Sequence, residues 1–161
     1  MLRALDVRLF RLLRTRGHAP LAELLVLRFT RLGEHGFLWL AMAVAGAAVD
    51  GHQRSVYLRT GRAVAATYLA NTAVKVLVRR ARPLFEDLPA LAPTYSGASY
   101  PSAHTSMSFA GARVLSGALP AGLVYAAAVA MALSRPYVGV HYPSDVVAGA
   151  ILGTVVADVI P

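Results

Sequence analysis

The sequence predicts an all-α fold, a polytopic membrane helical bundle of about five spans that follows an N-terminal amphipathic interfacial helix. Of the 161 residues, 57% are hydrophobic and only 15% are charged. The mean hydropathy of +0.54 is too high for an ordinary soluble domain. Apolar runs of helical length alternate with short polar links, and alanine and glycine recur along these runs, as close packing between membrane helices favours.

The N-terminal part of the chain is amphipathic rather than uniformly apolar. Residues 2–16 place leucines at helical spacing and arginines mostly on the other side, which predicts a helix lying on the membrane surface. Residues 20–32 are apolar but contain one glutamate and two arginines, so we interpret them as a second surface or lead-in helix. We therefore predict a single domain, 1–161, in which residues 1–33 are interfacial helices and residues 34–161 form the transmembrane core.

The transmembrane core is predicted from five apolar runs. They cover residues 36–49, 63–78, 102–118, 120–135 and 146–160. A polar link at 50–62 returns the chain after the first run, and a proline-rich loop at 84–100 is long enough to cover a site. Each run is shorter than the ~20 residues that cross a full hydrocarbon core, so a thinner bilayer or flanking residues must complete the spans.

The charge balance limits the classes of partner. The formal net charge is +8, from 16 lysines and arginines against 8 acidic residues. On an apolar chain this excess indicates anionic lipid head groups or a phosphorylated substrate. Nucleic acid is excluded as a partner because the arginines are not interleaved with aromatic residues and no binding motif is present. Cysteine is absent, so neither a disulfide framework nor a thiolate metal site can form.

Charged and titratable side chains collect where the predicted helices end. These residues are Lys75 and Arg82 after the second span, His104 at the start of the third, Arg135 at the end of the fourth, and His141 with Asp145 at the start of the fifth. For alternating spans, all of these positions fall on the same face of the membrane. Such a convergence of basic and histidine side chains predicts a functional site there.

The residue types at this face suit a phosphate group. Lys75, Arg82 and Arg135 would neutralise its non-bridging oxygens, the guanidinium groups through paired donors of fixed geometry. Ser102 and the backbone amides at the start of the third helix, where Ala103 lies, would add hydrogen bonds near the positive end of the helix dipole.

Two histidines can divide a displacement at phosphorus between them, one attacking and one protonating the departing oxygen. His141 is the better nucleophile because Asp145, four residues on, can hold one ring nitrogen and so present the other. His104 is then the acid, and later activates the water that hydrolyses the phosphohistidine. This chemistry requires no metal ion and no other cofactor.

Three blocks of sequence resemble the signature of one family. Lys75 to Pro83 fits K-x6-R-P, Pro101 to His104 resembles P-S-G-H, and Ser134 to Asp145 fits S-R-x5-H-x3-D. Together they resemble the type 2 phosphatidic acid phosphatase superfamily. The resemblance implies a helical membrane bundle, a metal-independent hydrolase of phosphomonoesters or diphosphates, and a phosphohistidine intermediate at His141. Ala103 departs from the pattern, where glycine is usual, but its amide remains available and activity is expected to survive.

The substrate is predicted to be a membrane lipid phosphate, since the site opens at head-group level beside apolar helices. The loop at 88–93 and the approach to Pro101 are similar to actinobacterial members that dephosphorylate polyprenyl-phosphoryl phosphoribose in cell-wall arabinan synthesis. Phosphatidic acid, phosphatidylglycerophosphate and undecaprenyl diphosphate are alternative substrates. The superfamily also allows a phosphotransferase or a vanadate-type haloperoxidase.

Simpler interpretations stand beside these. Arg79 and Arg80 are better explained as a basic flank that anchors a helix in anionic head groups than as catalytic residues. Ser102 would serve equally as a helix cap, and Asp145 as a favourable first-turn acid. On this view the chain is a non-catalytic membrane protein that binds anionic lipid through its arginines.

The predicted location is the bacterial cell (inner) membrane, with the bilayer and a lipid phosphate as partners. The arginines of the N-terminal helix favour the cytoplasmic side, and the site returns to that side two spans later. If residues 20–32 cross the membrane, the site faces outward instead. The Gly and Ala faces of the bundle would also allow a homo-oligomer.

Overall fold

The computed structural model describes residues 2–94 and 96–161, without the side chain of Leu2. These residues form seven α-helices, and the all-α prediction is confirmed. The helices are α1 (Leu2–Thr15), α2 (Pro20–Arg31), α3 (Phe37–Val49), α4 (Arg54–Val78), α5 (Ala103–Leu115), α6 (Ala121–Tyr137) and α7 (Pro143–Val159). A short 3-10 turn, Glu34–Gly36, separates α2 from α3.

Helix α5 lies at the centre of the bundle, packed against α4, α6 and α7. Small residues of α7 bring its backbone very close to α5, since a Cβ added at Gly153 would lie 2.0 Å from the carbonyl oxygen of Ser106. The starts of the two helices are joined as well, because the Ser102 amide donates to the carbonyl of Asp145 at 3.0 Å. This packing fixes the first turns of α5 and α7 side by side.

Aromatic residues lock α3 and α4 onto the far half of α5. Trp39 is fully buried, and its indole N–H donates to Ser108 Oγ at 2.9 Å. Gly111 makes room for this ring, and Gly46 makes room for Tyr57 in the same way. The glycines of the predicted spans therefore admit aromatic rings as well as neighbouring helices.

Several predicted boundaries are wrong; α5, for example, ends at Leu115 rather than at residue 118. Residues 54–62 are helical rather than a polar link, because α4 begins at Arg54. A polar residue there bonds to the C-terminal end of α7: Arg59 Nε donates to the carbonyl of Ile160 at 2.8 Å. The C-terminal end of the fourth run was also predicted too early: α6 continues to Tyr137 and includes Pro136, two residues past the predicted end.

The predicted number of spans stays a prediction. Within residues 2–94 and 96–161, no single helix has both the length and the apolar composition expected of a span. Helices α2 and α3 meet that criterion only as a pair, Pro20–Arg31 with Glu34–Val49, bent by 53°.

Helix α1 packs on the bundle, against α6 and α7. Its buried residues are Phe10, Asp6 and Arg14, whereas Leu5 and Leu9 are exposed. The expectation that the arginines share an outer face is therefore wrong for Arg14, which donates to the carbonyl of Pro89 at 2.8 Å. Whether α1 also touches a membrane surface stays a prediction.

Candidate active site

The ends of α4 and α6 and the starts of α5 and α7 meet at one end of the bundle, and the predicted site residues lie there. Helix α4 ends at Val78, and the left-handed backbone of Arg79 (φ 50°) then turns the chain sharply and leads it to Arg82. Helix α7 begins with Pro143 in its first turn, which suits the fixed φ of proline. Asp145 therefore stands at the third position of that helix.

His141 lies in the link between α6 and α7 and is only 2% exposed. Arg82 Nη1 lies 3.2 Å from His141 Nε2, and a guanidinium group can only donate, so Nε2 is the accepting nitrogen. The proton of the neutral ring is then on Nδ1, which faces Asp145 Oδ2 at 3.6 Å. This distance is longer than a hydrogen bond but short enough for electrostatic support.

The surroundings of His141 keep its ring neutral. Burial lowers the pKa of His141 well below its usual value, and the positive charges of Arg135, Arg82 and Lys75 lower that pKa further. A neutral imidazole with an unprotonated Nε2 is the form that can attack an electrophile.

Backbone carbonyls hold two of the predicted phosphate-binding cations. Lys75 Nζ donates to the carbonyl of Ala98 at 3.1 Å. Arg82 donates through Nε to Ser96 and through Nη1 to Val140, both at 2.8 Å. The hydrogen-bond partners of both groups are neutral, so neither cation is held in an ion pair there and both can bind an anion, although the charge of Asp145 also acts on them.

Arg135 is a deeply buried cation, 5% exposed. Its Nη1 donates to the hydroxyl of Thr30, which arrives from the last turn of α2. Its Nε is buried and has no hydrogen-bond partner among the described residues. The charge of Glu34 acts on this guanidinium, and the unpartnered Nε still leaves one buried donor that an anionic ligand would satisfy.

His104 stands in the first turn of α5 and is covered by the break between α2 and α3. A Cβ added at Gly33, in that break, would lie 2.6 Å from His104 Cδ2. His104 is close enough to His141 for the two rings to interact electrostatically. The site therefore includes a segment that was predicted only as a lead-in.

Ser102 and Ala103 begin α5 as predicted, but Ser102 does not cap the helix with its side chain. Its hydroxyl is fully buried and accepts a hydrogen bond from Thr105 Oγ1 at 3.0 Å. Asp145 does act as a first-turn acid, because its Oδ2 accepts the amide of Tyr142 at 2.9 Å. The cap interpretation is therefore wrong for Ser102, whereas the first-turn interpretation describes one of the contacts of Asp145.

The sequence did not predict the role of Arg80, which was interpreted as a basic flank. Its Nη1 donates to Asp145 Oδ1 at 2.8 Å and its Nη2 to Asp6 Oδ2 at 2.6 Å. The guanidinium is therefore committed to two carboxylates and not free to anchor a helix in head groups. The one available signal was Asp6, the single acidic residue of a basic helix.

A cavity of about 1040 Å³ lies between α1, α7 and the loop after α4. Its lining includes the polar side chains of Arg80, Arg82 and Tyr142. The rest of its wall is largely apolar, formed by Leu5, Leu9, Leu84, Val147 and Ile151. Within the described part of the chain, no group of three His, Asp, Glu or Cys side chains is placed to hold a metal ion.

Sequence comparison finds a matching family and similar proteins. The chain matches the PAP2 superfamily over residues 56–161. It is 37% identical over 120 residues to the decaprenylphosphoryl-5-phosphoribose phosphatase of Mycolicibacterium smegmatis, covering 74% of this chain and 67% of that protein. It is 37% identical over 134 residues to the protein of the same name from Mycobacterium tuberculosis, covering 81% of this chain and 74% of that one.

Structure comparison finds the same fold in two solved proteins. The crystal structure of Aquifex aeolicus LpxE superposes with a TM-score of 0.77 at 25% identity, over 96% of this chain and 93% of that one. A transmembrane PAP2 type phosphatidylglycerolphosphate phosphatase from Bacillus subtilis gives a TM-score of 0.79 at 24% identity, over 99% and 84% of the two chains.

The fold and the sequence matches define a lipid phosphatase of the PAP2 class. The chain belongs to the PAP2 superfamily, which confirms the resemblance that its three sequence blocks carry.

Proposed function

We propose that this protein hydrolyses the phosphomonoester of a polyprenyl-phosphoryl phosphoribose without a metal ion, through a phosphohistidine at His141. One observation carries the proposal: a buried, neutral histidine presents Nε2 to Arg82, and the charges of Lys75 and Arg135 act on the same ring. Lys75, Arg82 and Arg135 would bind the phosphate oxygens, together with Ser102 and the amide of Ala103.

Hydrolysis would proceed in two displacements at phosphorus. In the first, Arg82 moves from Nε2 to the phosphate, and Nε2 attacks phosphorus. A P–N bond forms and the ester P–O bond breaks, while His104 protonates the leaving oxygen and Asp145 stabilises the imidazolium. In the second, His104 accepts a proton from water, whose oxygen attacks phosphorus. The P–N bond breaks, inorganic phosphate is released, and neutral His141 is restored.

The cavity beside the site supports a lipid substrate. Its apolar wall suits a prenyl chain, and Arg82 of the candidate site is among its lining residues. Arg3 also lines the cavity, and would meet the phosphodiester that links sugar to prenyl chain. The relatives from two mycobacterial genera carry the name of a phosphatase for such a substrate.

Phosphate release from a panel of lipids tests the proposal. The detergent-purified protein is assayed in EDTA with decaprenylphosphoryl-5-phosphoribose, phosphatidic acid, phosphatidylglycerophosphate and undecaprenyl diphosphate. The His141→Ala variant is run in parallel. We expect release that EDTA does not reduce, that the variant loses by about 10³-fold or more, and that has its highest kcat/KM with the phosphoribose lipid.

Each other result contradicts a defined part of the proposal. A higher kcat/KM with one of the other three lipids would overturn the substrate. Loss of release in EDTA would overturn the metal-independent mechanism. Release by His141→Ala at the unsubstituted rate would overturn the phosphohistidine, and no release from any lipid would favour the non-catalytic lipid-binding alternative.

A further inference from the structure

A carboxylate of the N-terminal helix reaches the candidate site through one arginine. Asp6 is the single acidic residue of α1 and is only 7% exposed. Its Oδ2 accepts a hydrogen bond from Arg80 Nη2 at 2.6 Å, and its Oδ1 accepts the amide of Ser144 at 2.9 Å. Asp6 is thus fixed to both the loop after α4 and the first turn of α7.

The same guanidinium group holds a second carboxylate. Arg80 Nη1 donates to Asp145 Oδ1 at 2.8 Å, and the guanidinium carbon lies 4.3 Å from the centre of the Tyr142 ring. The hydroxyl of Ser144 links Arg80 to Asp6, accepting from Arg80 Nη1 at 2.6 Å and donating to Asp6 Oδ2. A planar guanidinium holds its N–H donors in a fixed fork and can contact both carboxylates at once. An ammonium group has no such fixed arrangement of donors.

These contacts fix the rotation of the Asp145 carboxylate. Its Oδ1 is held by Arg80 and its Oδ2 by the amide of Tyr142, so the edge that faces His141 Nδ1 is determined. Asp6 in turn offsets the charge of Arg80, which leaves the charge of Asp145 more effective at His141.

We propose that Asp6 and Arg80 are positioning residues for the reaction: they hold Asp145 in the orientation that supports His141. The inference rests on the proposed function, since Asp145 has a nucleophile to orient only if His141 is that nucleophile. On this proposal α1 contributes a positioning residue, Asp6, to the site, in addition to any contact of α1 with the membrane.

A second ion pair of α1 provides the matched control. Arg11 donates to Asp87 in the loop after α4, and both side chains are exposed. This pair also docks α1 on the bundle but does not contact Asp145. Loss of docking and loss of positioning can therefore be measured separately.

The test compares Arg80→Met, Asp6→Asn and their double variant with Arg11→Gln and Asp87→Asn, using phosphate release and thermal unfolding in detergent. We expect kcat to fall by about tenfold in Arg80→Met and Asp6→Asn, with KM changed less than about twofold. The two control variants should keep kcat and should unfold at an only slightly lowered temperature, because their ion pair is exposed.

The pH dependence of kcat/KM supplies a second measurement. Its acidic limb should shift if the field at His141 changes, but not if α1 merely packs less tightly on the bundle. Removing Arg80 leaves the charge of Asp145 uncompensated, so the pKa of His141 rises and the limb moves to higher pH. Removing the charge of Asp6 strengthens the field of Arg80 at Asp145, so the limb moves to lower pH. The other groups that face His141 are unchanged in every variant: Lys75, Arg82, His104 and Arg135.

Milder substitutions keep the inference testable if Arg80→Met unfolds. Arg80→Lys keeps the charge but not the fork, and Ser144→Ala removes only the bridging hydroxyl, so both should lower kcat by about twofold to fivefold without changing KM. Equal loss in the docking controls, or limbs that stay at the unsubstituted pH in every variant, would overturn the positioning role. If His141→Ala retained full activity, the proposed function would fail first and the inference with it.

Discussion

At the scale of single residues, the most consequential property of the site is the neutral ring of His141. Burial and three neighbouring cations lower the pKa of this group, so the ring stays unprotonated as the pH falls below the usual value of about 6.5. A nucleophile that keeps its lone pair in acid should remain active there, provided that the substrate is also in the required ionic form.

We predict that removing one of these cations raises the pH at which activity is lost. In Arg135→Met the positive charge beside His141 is gone, so its pKa rises and the acidic limb of kcat/KM moves to higher pH. The ionisation of the substrate is the same for both proteins and cannot produce a difference between them. Arg113→Met removes an exposed arginine paired with Asp158 and serves as the control. A limb at the same pH in all three proteins would show that His141 does not determine it.

Sequence spacing identified the residues around His141 but not the contacts that support them. The i, i+4 relation predicted Asp145 beside His141, and the structure places the two 3.6 Å apart. The link from Asp6 to Arg80 joins residues 74 positions apart, and no local spacing rule covers such a pair. The catalytic roles themselves stay predictions that the variants above test.

At the scale of elements, the break between α2 and α3 shapes the site. Gly33 lies in this break with φ −84° and ψ −6°, a backbone conformation that any residue can adopt. Its need for glycine is steric, because an added Cβ would meet His104 Cδ2 and Met131 Sδ, each at 2.6 Å. The Met131 side chain ends in a flexible thioether that can move aside. The His104 ring can relieve the contact only by shifting away from its place in the site.

Gly33→Ala is therefore predicted to lower kcat by about tenfold or more by displacing His104, since small misplacements of an acid are costly. Gly122→Ala, in the first turn of α6 with open space around its Cβ, is the matched control. That control should keep its kcat and unfold at the same or a slightly higher temperature. Phosphate release and thermal unfolding of both variants check the prediction, and equal kcat values would refute it.

Helix ends were the least predictable elements. The charged and hydroxyl side chains of residues 54–62 suggest a solvent-exposed polar link, yet these residues form the first turns of α4. Arg59 uses its guanidinium on carbonyls at the end of α7, and Thr60 bonds to its own helix at Val56. Such partners cannot be inferred from composition, because they depend on which helix ends meet in the bundle.

At the scale of the whole molecule, the two ends of the bundle are built differently. The far end is joined by contacts of α4 and α5 with α7, such as the Arg113 to Asp158 pair. The candidate site end is assembled from links, the break after α2 and the N-terminal helix. Apolar composition predicted the all-α bundle, but an amphipathic α1 has the same pattern whether it covers lipid or protein.

The predicted cytoplasmic orientation of the site can be tested because the chain contains no cysteine. Ser96 is exposed in the loop at the site end, and His52 is exposed in the turn before α4 at the other end. The 25 residues of α4 separate these ends by roughly 37 Å, which exceeds a hydrocarbon core. The variants Ser96→Cys and His52→Cys therefore report on opposite faces of the bundle.

In intact spheroplasts, a membrane-impermeant maleimide should label the His52→Cys variant and should reach the Ser96→Cys variant only after lysis. Phosphate release must be retained in both, so that the labelled protein is the folded one. The reverse pattern would place the site on the outer face, as expected if the arginines of α1 do not set the orientation. Equal labelling of both variants before lysis would contradict a bundle that crosses the membrane between these two positions, because the bilayer would then protect neither thiol.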